Sequence, residues 1–208
     1  MRFLIADDHA IVRKGLIQLL REEFTMTEVA EVTNGNAVLE EVQKQLWDAI
    51  LLDISMPGRN GIEILKQLRT NGIKTPILVI SMYPEEQYAI RALKAGASGF
   101  LSKESANEEL LAAVHKILSG RKYVSPSIAD KLADTVGVTG ELPTHELLSD
   151  REMQVLQLIA SGKTVSEIAE EISLSINTIS TYRTRILEKL SLHNNAELIR
   201  YALNHGLA

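Results

Sequence analysis

The sequence predicts an α/β protein, a doubly wound five-stranded parallel sheet, followed by a small all-α domain. Three observations predict it. Short apolar runs alternate with amphipathic stretches over residues 1–118. Three of those runs are apolar almost throughout, as strands covered on both faces are. From residue 149 onward the apolar spacing is helical throughout. A chain of 208 residues has room for two small domains, each with its own core.

The elements follow in order. Strands are expected at Arg2–Ala6, Glu28–Val32, Ala49–Asp53, Ile77–Ser81 and 99–101, with helices near 10–22, 36–46, 61–70, 85–95 and 106–118. Five strand–helix units imply right-handed crossovers and hence a parallel sheet. Ser105 and Glu108 have the spacing of a capping box at the start of the fifth helix. Residues 119–147 read as a connector. Ser125-Pro126 starts a short helix carrying Ile128, Leu132 and Val136, and Gly137, Gly140 and Pro143 punctuate the stretch after it. The second domain spans 148–208. Ser149 with Glu152 and Thr164 with Glu167 form two further capping boxes, Ser175 caps a helix over about 176–190, and a last helix covers about 195–205.

Composition removes several functions. With 45% apolar and 24% charged residues the chain is an ordinary globular protein, and with no cysteine it has neither disulfides nor thiolate metal sites. No signal pattern and no apolar run near 18 residues is present, so a cytoplasmic location without membrane contact is expected. The net charge of −5 gives no general sign of nucleic acid.

The polar residues at the strand ends carry the chemistry. Asp7 and Asp8 follow the first strand, Asp53 ends the third, Ser81 ends the fourth and Lys103 follows the fifth. Ligands of open α/β sheets bind beyond the carboxyl ends of the strands, at the switch in strand order, so all five converge on one rim. Three carboxylates there repel one another unless a cation intervenes. An oxygen-rich donor set suits Mg²⁺ better than zinc. A single Asp after a strand reads more simply as a loop or helix cap; five residues on one rim do not. The five histidines, His9, His115, His145, His193 and His205, lack metal-ligand spacing and read as surface or packing residues. Trp47 reads as part of the core.

The segments "ADDHA", "LLDISMPGRNG", "VISMY" and "GFLSK" resemble the signature of two-component receiver domains, over residues 1–118. The resemblance implies the flavodoxin-like fold and a role for each matching residue. Asp53 is the phosphoacceptor. Asp7, Asp8, Asp53 and the backbone carbonyl of Ser55 hold Mg²⁺. Ser81 and Lys103 contact the phosphoryl group, and Phe100 is the aromatic switch, rotating inward on activation. The donor is a sensor histidine kinase or a small acyl phosphate. Met82 stands where many receivers carry Ala or Gly, and Glu104 where many carry Pro. Phosphatases of the haloacid dehalogenase type also combine Asp and Mg²⁺ on such a sheet, but they need an Asp-x-Asp that this chain lacks after its first strand.

The stretches "LSDREMQVL", "SEIAEEI" and "NTISTYRTRILEKL" resemble the LuxR-type module of the NarL/FixJ response regulators. Helix-turn-helix proteins place the amino end of the second helix in the major groove. By matching positions, Ser180, Thr181 and Thr184 face base edges. Asn177, Thr178, Tyr182, Arg183, Arg185 and Lys189 are candidates for phosphate or further base contacts. Ser173 lies in the turn where Gly is frequent. Residues 149–208 hold six Lys and Arg against seven Asp and Glu, yet 176–190 carries a net +2, so positive charge collects on the expected contact helix. The alternative is a helical protein–protein module. The resemblance implies a regulator controlled by phosphorylation, binding double-stranded promoter DNA as a homodimer when active.

Overall fold

The structure, a computed structural model, describes residues 1–135 and 144–207. The chain divides into two compact units, Met1–Val138 and Thr139–Ala208.

The first unit is a parallel sheet of β1 (Arg2–Ala6), β2 (Glu28–Val32), β3 (Ala49–Asp53), β4 (Ile77–Ser81) and β5 (Gly99–Ser102), in the order β2-β1-β3-β4-β5. Between the strands run α1 (Ala10–Glu23), α2 (Gly35–Lys44), α3 (Gly61–Thr70) and α4 (Glu85–Lys94), and α5 (Ala106–Leu118) follows β5. β3 and β4 are buried at every position, which is why their sequences show no polar alternation. One face of the sheet places Phe3, Ile5, Leu51, Leu78 and Ile80 against Leu16 and Leu20 of α1 and Leu110, Val114 and Ile117 of α5. Alternate strand residues, among them Leu4, Ile50, Leu52, Val79 and Phe100, are equally buried and point to the other face. The strand order reverses between β1, which Asp7 follows, and β3, which ends in Asp53.

One sequence expectation needs correction in this unit. Ser105 makes no capping box. Its backbone is already helical (φ −90°, ψ −2°), so its hydroxyl turns back to the carbonyl of Ser102. The box that does form here is Asn60 with Glu63, at the start of α3. The connector expected over 119–147 is in part structure of the first unit. The Tyr123 amide donates to Ser98 O (2.9 Å) and its carbonyl accepts from Phe100 (3.2 Å), extending the sheet beyond β5 as an isolated parallel bridge. This covers an edge that would otherwise present unpaired backbone. α6 (Pro126–Thr135) then packs on α4, capped by Ser125 as expected. Val136, Gly137, Gly140 and Pro143 lie outside the described residues.

The second unit holds a 3₁₀ turn at Thr144–Leu147, then α7 (Asp150–Ala160), α8 (Val165–Glu171), α9 (Ile176–Leu190) and α10 (Asn195–Asn204). The capping boxes of Ser149 with Glu152 and Thr164 with Glu167 both form, and Ser175 accepts from the Thr178 amide at 3.1 Å. Ile168 and Ala169 of α8 and Ile179 and Ile186 of α9 are buried, and the two helices pack on each other. The tight turn between them puts Ser173 in the left-handed region (φ 53°), the reason Gly is common there.

Candidate functional site

At the carboxyl edge of the sheet, the ends of β1, β3 and β5 bring Asp7, Asp53 and Lys103 together. Asp53 is 1% exposed and Asp7 2%. Lys103 Nζ donates to Asp53 Oδ2 at 2.8 Å and lies 2.7 Å from Asp7 Oδ2. The Ser55 amide donates to Asp53 Oδ1 at 3.2 Å. Burial pushes the Asp53 carboxyl above its ordinary value, with the Asp7 carboxylate adding to the effect and Lys103 opposing it. Burial works to depress Lys103, but Asp53 and Asp7 outweigh it and hold the ammonium above its usual range. One lysine thus offsets part of the charge of two carboxylates that burial disfavours.

Asp8 and His9 complete the cluster. Oxygen or nitrogen atoms of Asp7, Asp8, His9 and Asp53 lie within 4.8 Å of one another. His9 was missed by spacing arguments because it reaches the site from the loop itself, not from a helix repeat. Its Nδ1 is 2.8 Å from Asp8 Oδ1 and 3.3 Å from Asp7 Oδ1. Asp7 also has the local role of a loop residue, since its Oδ1 accepts the His9 amide at 2.7 Å. Two buried oxygens, Asp7 Oδ2 and Asp8 Oδ1, have no hydrogen bond. Lys103 lies 2.7 Å from the first and His9 2.8 Å from the second, as ion-pair contacts. Buried carboxylate oxygens left in this way fit a divalent cation of the oxygen-preferring class.

Ser81 is fully buried at the end of β4, with its Oγ accepting from the Tyr83 amide at 3.0 Å. Met82 next to it is largely exposed. Every peptide bond among the described residues is trans, so Glu104 after Lys103 leaves the lysine's reach intact. The Phe100 ring is fully buried in this structure, where a switch residue turned outward would be exposed. A phenyl ring has no hydroxyl to hold it at the surface, and burying one contributes about 1.5–3 kcal/mol. Tyr88 of α4 is likewise buried, stacked on Tyr83 with ring centroids 4.7 Å apart.

On the second unit, Asn177, Ser180, Thr181, Thr184 and Arg185 are exposed along α9, and Thr178, Tyr182 and Arg183 are partly so. The helix buries its opposite side through Ile179, Ile186, Leu187 and Leu190. Thr181 and Thr184 donate their hydroxyls to carbonyls one turn back, at 2.9 and 3.1 Å, leaving their oxygens to accept. The three cations differ. Arg183 Nε donates to Asn195 Oδ1 at 2.5 Å. Lys189 Nζ pairs with Glu152 at 2.6 Å and donates to Leu147 O at 3.3 Å, which ties α9 to α7. Only Arg185 has no partner among the described residues. Lys189, a candidate DNA contact from the sequence, thus also ties α9 to α7 in this structure.

A carboxylate-rimmed doubly wound domain joined to a helix-turn-helix defines a class, a receiver coupled to a helical effector. The comparisons make the class specific. The family model described as the response regulator receiver domain matches residues 3–115, and that of the bacterial regulatory proteins of the luxR family matches 146–202. The chain is 34% identical over 215 residues to the oxygen regulatory protein NreC of Staphylococcus epidermidis, covering 100% of this chain and 99% of that protein. It is 31% identical over 205 residues to the response regulator UvrY of Escherichia coli K12, covering 98% and 94%. Among solved structures it is similar to RcsB from Salmonella enterica serovar Typhimurium, bound to a promoter in the presence of the phosphomimetic BeF3-. There the TM-score is 0.59 and the identity 29%, with 97% of each chain covered. A second RcsB structure, of two dimers bound to two parallel DNAs, has a TM-score of 0.58 at 28% identity, with 97% of each chain covered. The chain belongs to the NarL/FixJ family of two-component response regulators, with a receiver domain and a LuxR-type helix-turn-helix DNA-binding domain. None of the described helices is long and apolar enough to cross a membrane.

Proposed function

We propose that Asp53 accepts a phosphoryl group from a phosphohistidine of a sensor histidine kinase. The modified protein, working in the cytoplasm, then binds promoter DNA as a homodimer through α9. The observation that carries this reading is the joining of Asp7, Asp53 and Lys103 at the switch in strand order. A carboxylate oxygen of Asp53 attacks phosphorus, the bond from phosphorus to the donor nitrogen breaks, and the acyl phosphate forms without a proton from Asp53. Lys103 follows the new charge, its ammonium moving from the carboxylate to a phosphoryl oxygen. The Ser81 hydroxyl turns from the Tyr83 amide to donate to another. Asp7, Asp8, Asp53 and the Ser55 carbonyl would hold Mg²⁺, which when bound offsets negative charge on the phosphoryl oxygens. The chain catalyses only this transfer onto itself and the later hydrolysis of the acyl phosphate, in which water attacks phosphorus, inorganic phosphate leaves and the Asp53 carboxylate is restored. Because Phe100 is already inside, the signal leaves the site through Ser81 and the adjoining Met82–Tyr83 segment, where Tyr83 meets Tyr88 of α4.

Base edges are read by Ser180, Thr181 and Thr184, and phosphates are met by Asn177, Thr178, Tyr182, Arg183 and Arg185. The domain arrangement supported is a receiver with its additional helix α6, then the helix-turn-helix module. The test is incubation with Mg²⁺ and acetyl phosphate, followed by intact-protein mass measurement. A gain of one phosphoryl group is expected for the parent and none for Asp53→Asn. Equal labelling of the two would remove Asp53 from this role.

A further inference from the structure

The opposite edge of the sheet carries a second site. Where β4 and β5 begin, a cavity of about 440 Å³ opens among the ends of α3, α4 and α5, a size common for small-molecule sites. Four cations line it, Arg69, Lys74, Arg121 and Lys122, and no carboxylate does. This is unexpected in a chain of net charge −5. Ile73, Pro76 and Ile117 supply apolar surface beside them.

Helix carboxyl ends attract cations on their own account, and three such ends meet here. That explains two of the four. Arg69 donates to Gly96 O at 2.9 Å and to Ile73 O at 2.7 Å, and Lys122 donates to Ala97 O. It leaves Lys74 with no partner among the described residues and Arg121 with only a neutral one, Ser119 Oγ at 3.1 Å. Burial depresses Lys122, and the Arg69 guanidinium depresses it further. No carboxylate offsets either effect. Cations gathered without counter-ions around a concave, partly apolar cavity are arranged for a polyanion. Gly72 and Gly120 line it with open space where a side chain would stand, so a ligand can approach the backbone there, while the Arg69 side chain covers Gly96.

We propose that this cavity binds a small molecule bearing a diphosphate or triphosphate group. The site is independent of phosphoryl transfer at Asp53, from which it is separated by the length of the strands. The test is calorimetric titration of the full chain in EDTA with sodium pyrophosphate, with ADP and with adenosine. EDTA keeps divalent cations from the acidic rim, which then repels all anionic probes. Saturable one-site binding of pyrophosphate or ADP is expected. A higher affinity for ADP than for pyrophosphate assigns the site to nucleotide-like molecules, and equal affinities assign it to the phosphate chain alone. Lys74→Glu with Arg121→Glu, which disturbs no backbone cap, is expected to weaken binding about tenfold or more. A matched double reversal on α1, Lys14→Glu with Arg21→Glu, and Arg185→Ala on α9 are each expected to leave it unchanged. Absence of saturable binding, equal binding by adenosine, or full retention in the cavity variant would each overturn the proposal.

Discussion

Asp53 holds its charge almost out of reach of water, and its carboxyl titrates above the ordinary value near 3.8. The folded chain therefore binds that proton more tightly than the unfolded chain. Its contribution to stability is greatest below 3.8 and falls as pH rises through the folded value. At neutral pH the ionised group is a net cost, which Lys103 reduces without cancelling. Asp53→Asn removes the charge and keeps the shape. In EDTA at pH 7 it is expected to melt about 2–4 °C higher than the parent, corresponding to roughly 1 kcal/mol. Added Mg²⁺ should narrow the gap by stabilising the parent more, because a ligand of the folded state raises its melting point. Differential scanning calorimetry checks both, and a lower melting point for the variant would mean that the Lys103 pair outweighs burial. Asp7, Asp8, Asp53, Ser81 and Lys103 were legible because each directly ends or follows an apolar run. His9 was not, because its ring is aimed by the conformation of one loop. The burial of Phe100 was not legible either, since identity alone does not say which way a ring turns.

Among the elements, the start of α3 shows how closely the fold holds the site. A Cβ on Gly61 would lie 2.1 Å from Asp53 O, and the Gly61 amide donates to Ile54 O at 3.0 Å. Gly61→Ala must move the backbone that aims Asp53. It is expected to destabilise the receiver by about 2–3 kcal/mol, measured by urea unfolding, and to slow labelling by acetyl phosphate. In α9 the cations differ in their partners. Arg185→Ala should weaken promoter binding about tenfold, measured by fluorescence anisotropy, with little change in melting temperature. Glu152→Gln should do the reverse, lowering stability by about 1 kcal/mol. Burial works to raise Glu152, but Lys189 and the Ser149 hydrogen bonds outweigh it and hold the carboxyl below its usual 4.5. That stability is present above pH 4.5 and is lost as pH falls through the folded value, so parent and variant should converge in acid. Capping at Ser149, Thr164 and Ser175 was legible because a cap needs only local spacing. At Ser105 the same spacing failed because the preceding turn had already set a helical backbone. The strand-like pairing of Tyr123 with β5 was hidden because it depends on a partner more than twenty residues away.

For the whole molecule, an acidic chain must bind an acidic polymer. Residues 149–208 have a net charge of −1, and among the described residues of α9 only Arg185 is a cation without an internal partner. A single module then makes few phosphate contacts, and those contacts set nonspecific affinity. Pairing two modules doubles them without any new residue, which makes dimer formation the natural point of control. Such control needs a large bias. Turning a population from almost entirely inactive to almost entirely active takes about 5.5 kcal/mol of differential stabilisation. The slope of log affinity against log salt follows the number of phosphates neutralised, at about −0.9 each. Treatment of the full chain with Mg²⁺ and acetyl phosphate should therefore raise its mass in solution towards a dimer. It should also lower the concentration needed to bind an inverted-repeat promoter fragment about tenfold or more, and steepen the salt slope about twofold. Asp53→Asn should show none of the three. Light scattering gives the mass, and anisotropy titrations at several salt concentrations give the affinity and slope. A tighter complex with an unchanged slope and mass would mean that phosphorylation improves one module's contacts, and control by pairing would have to be abandoned.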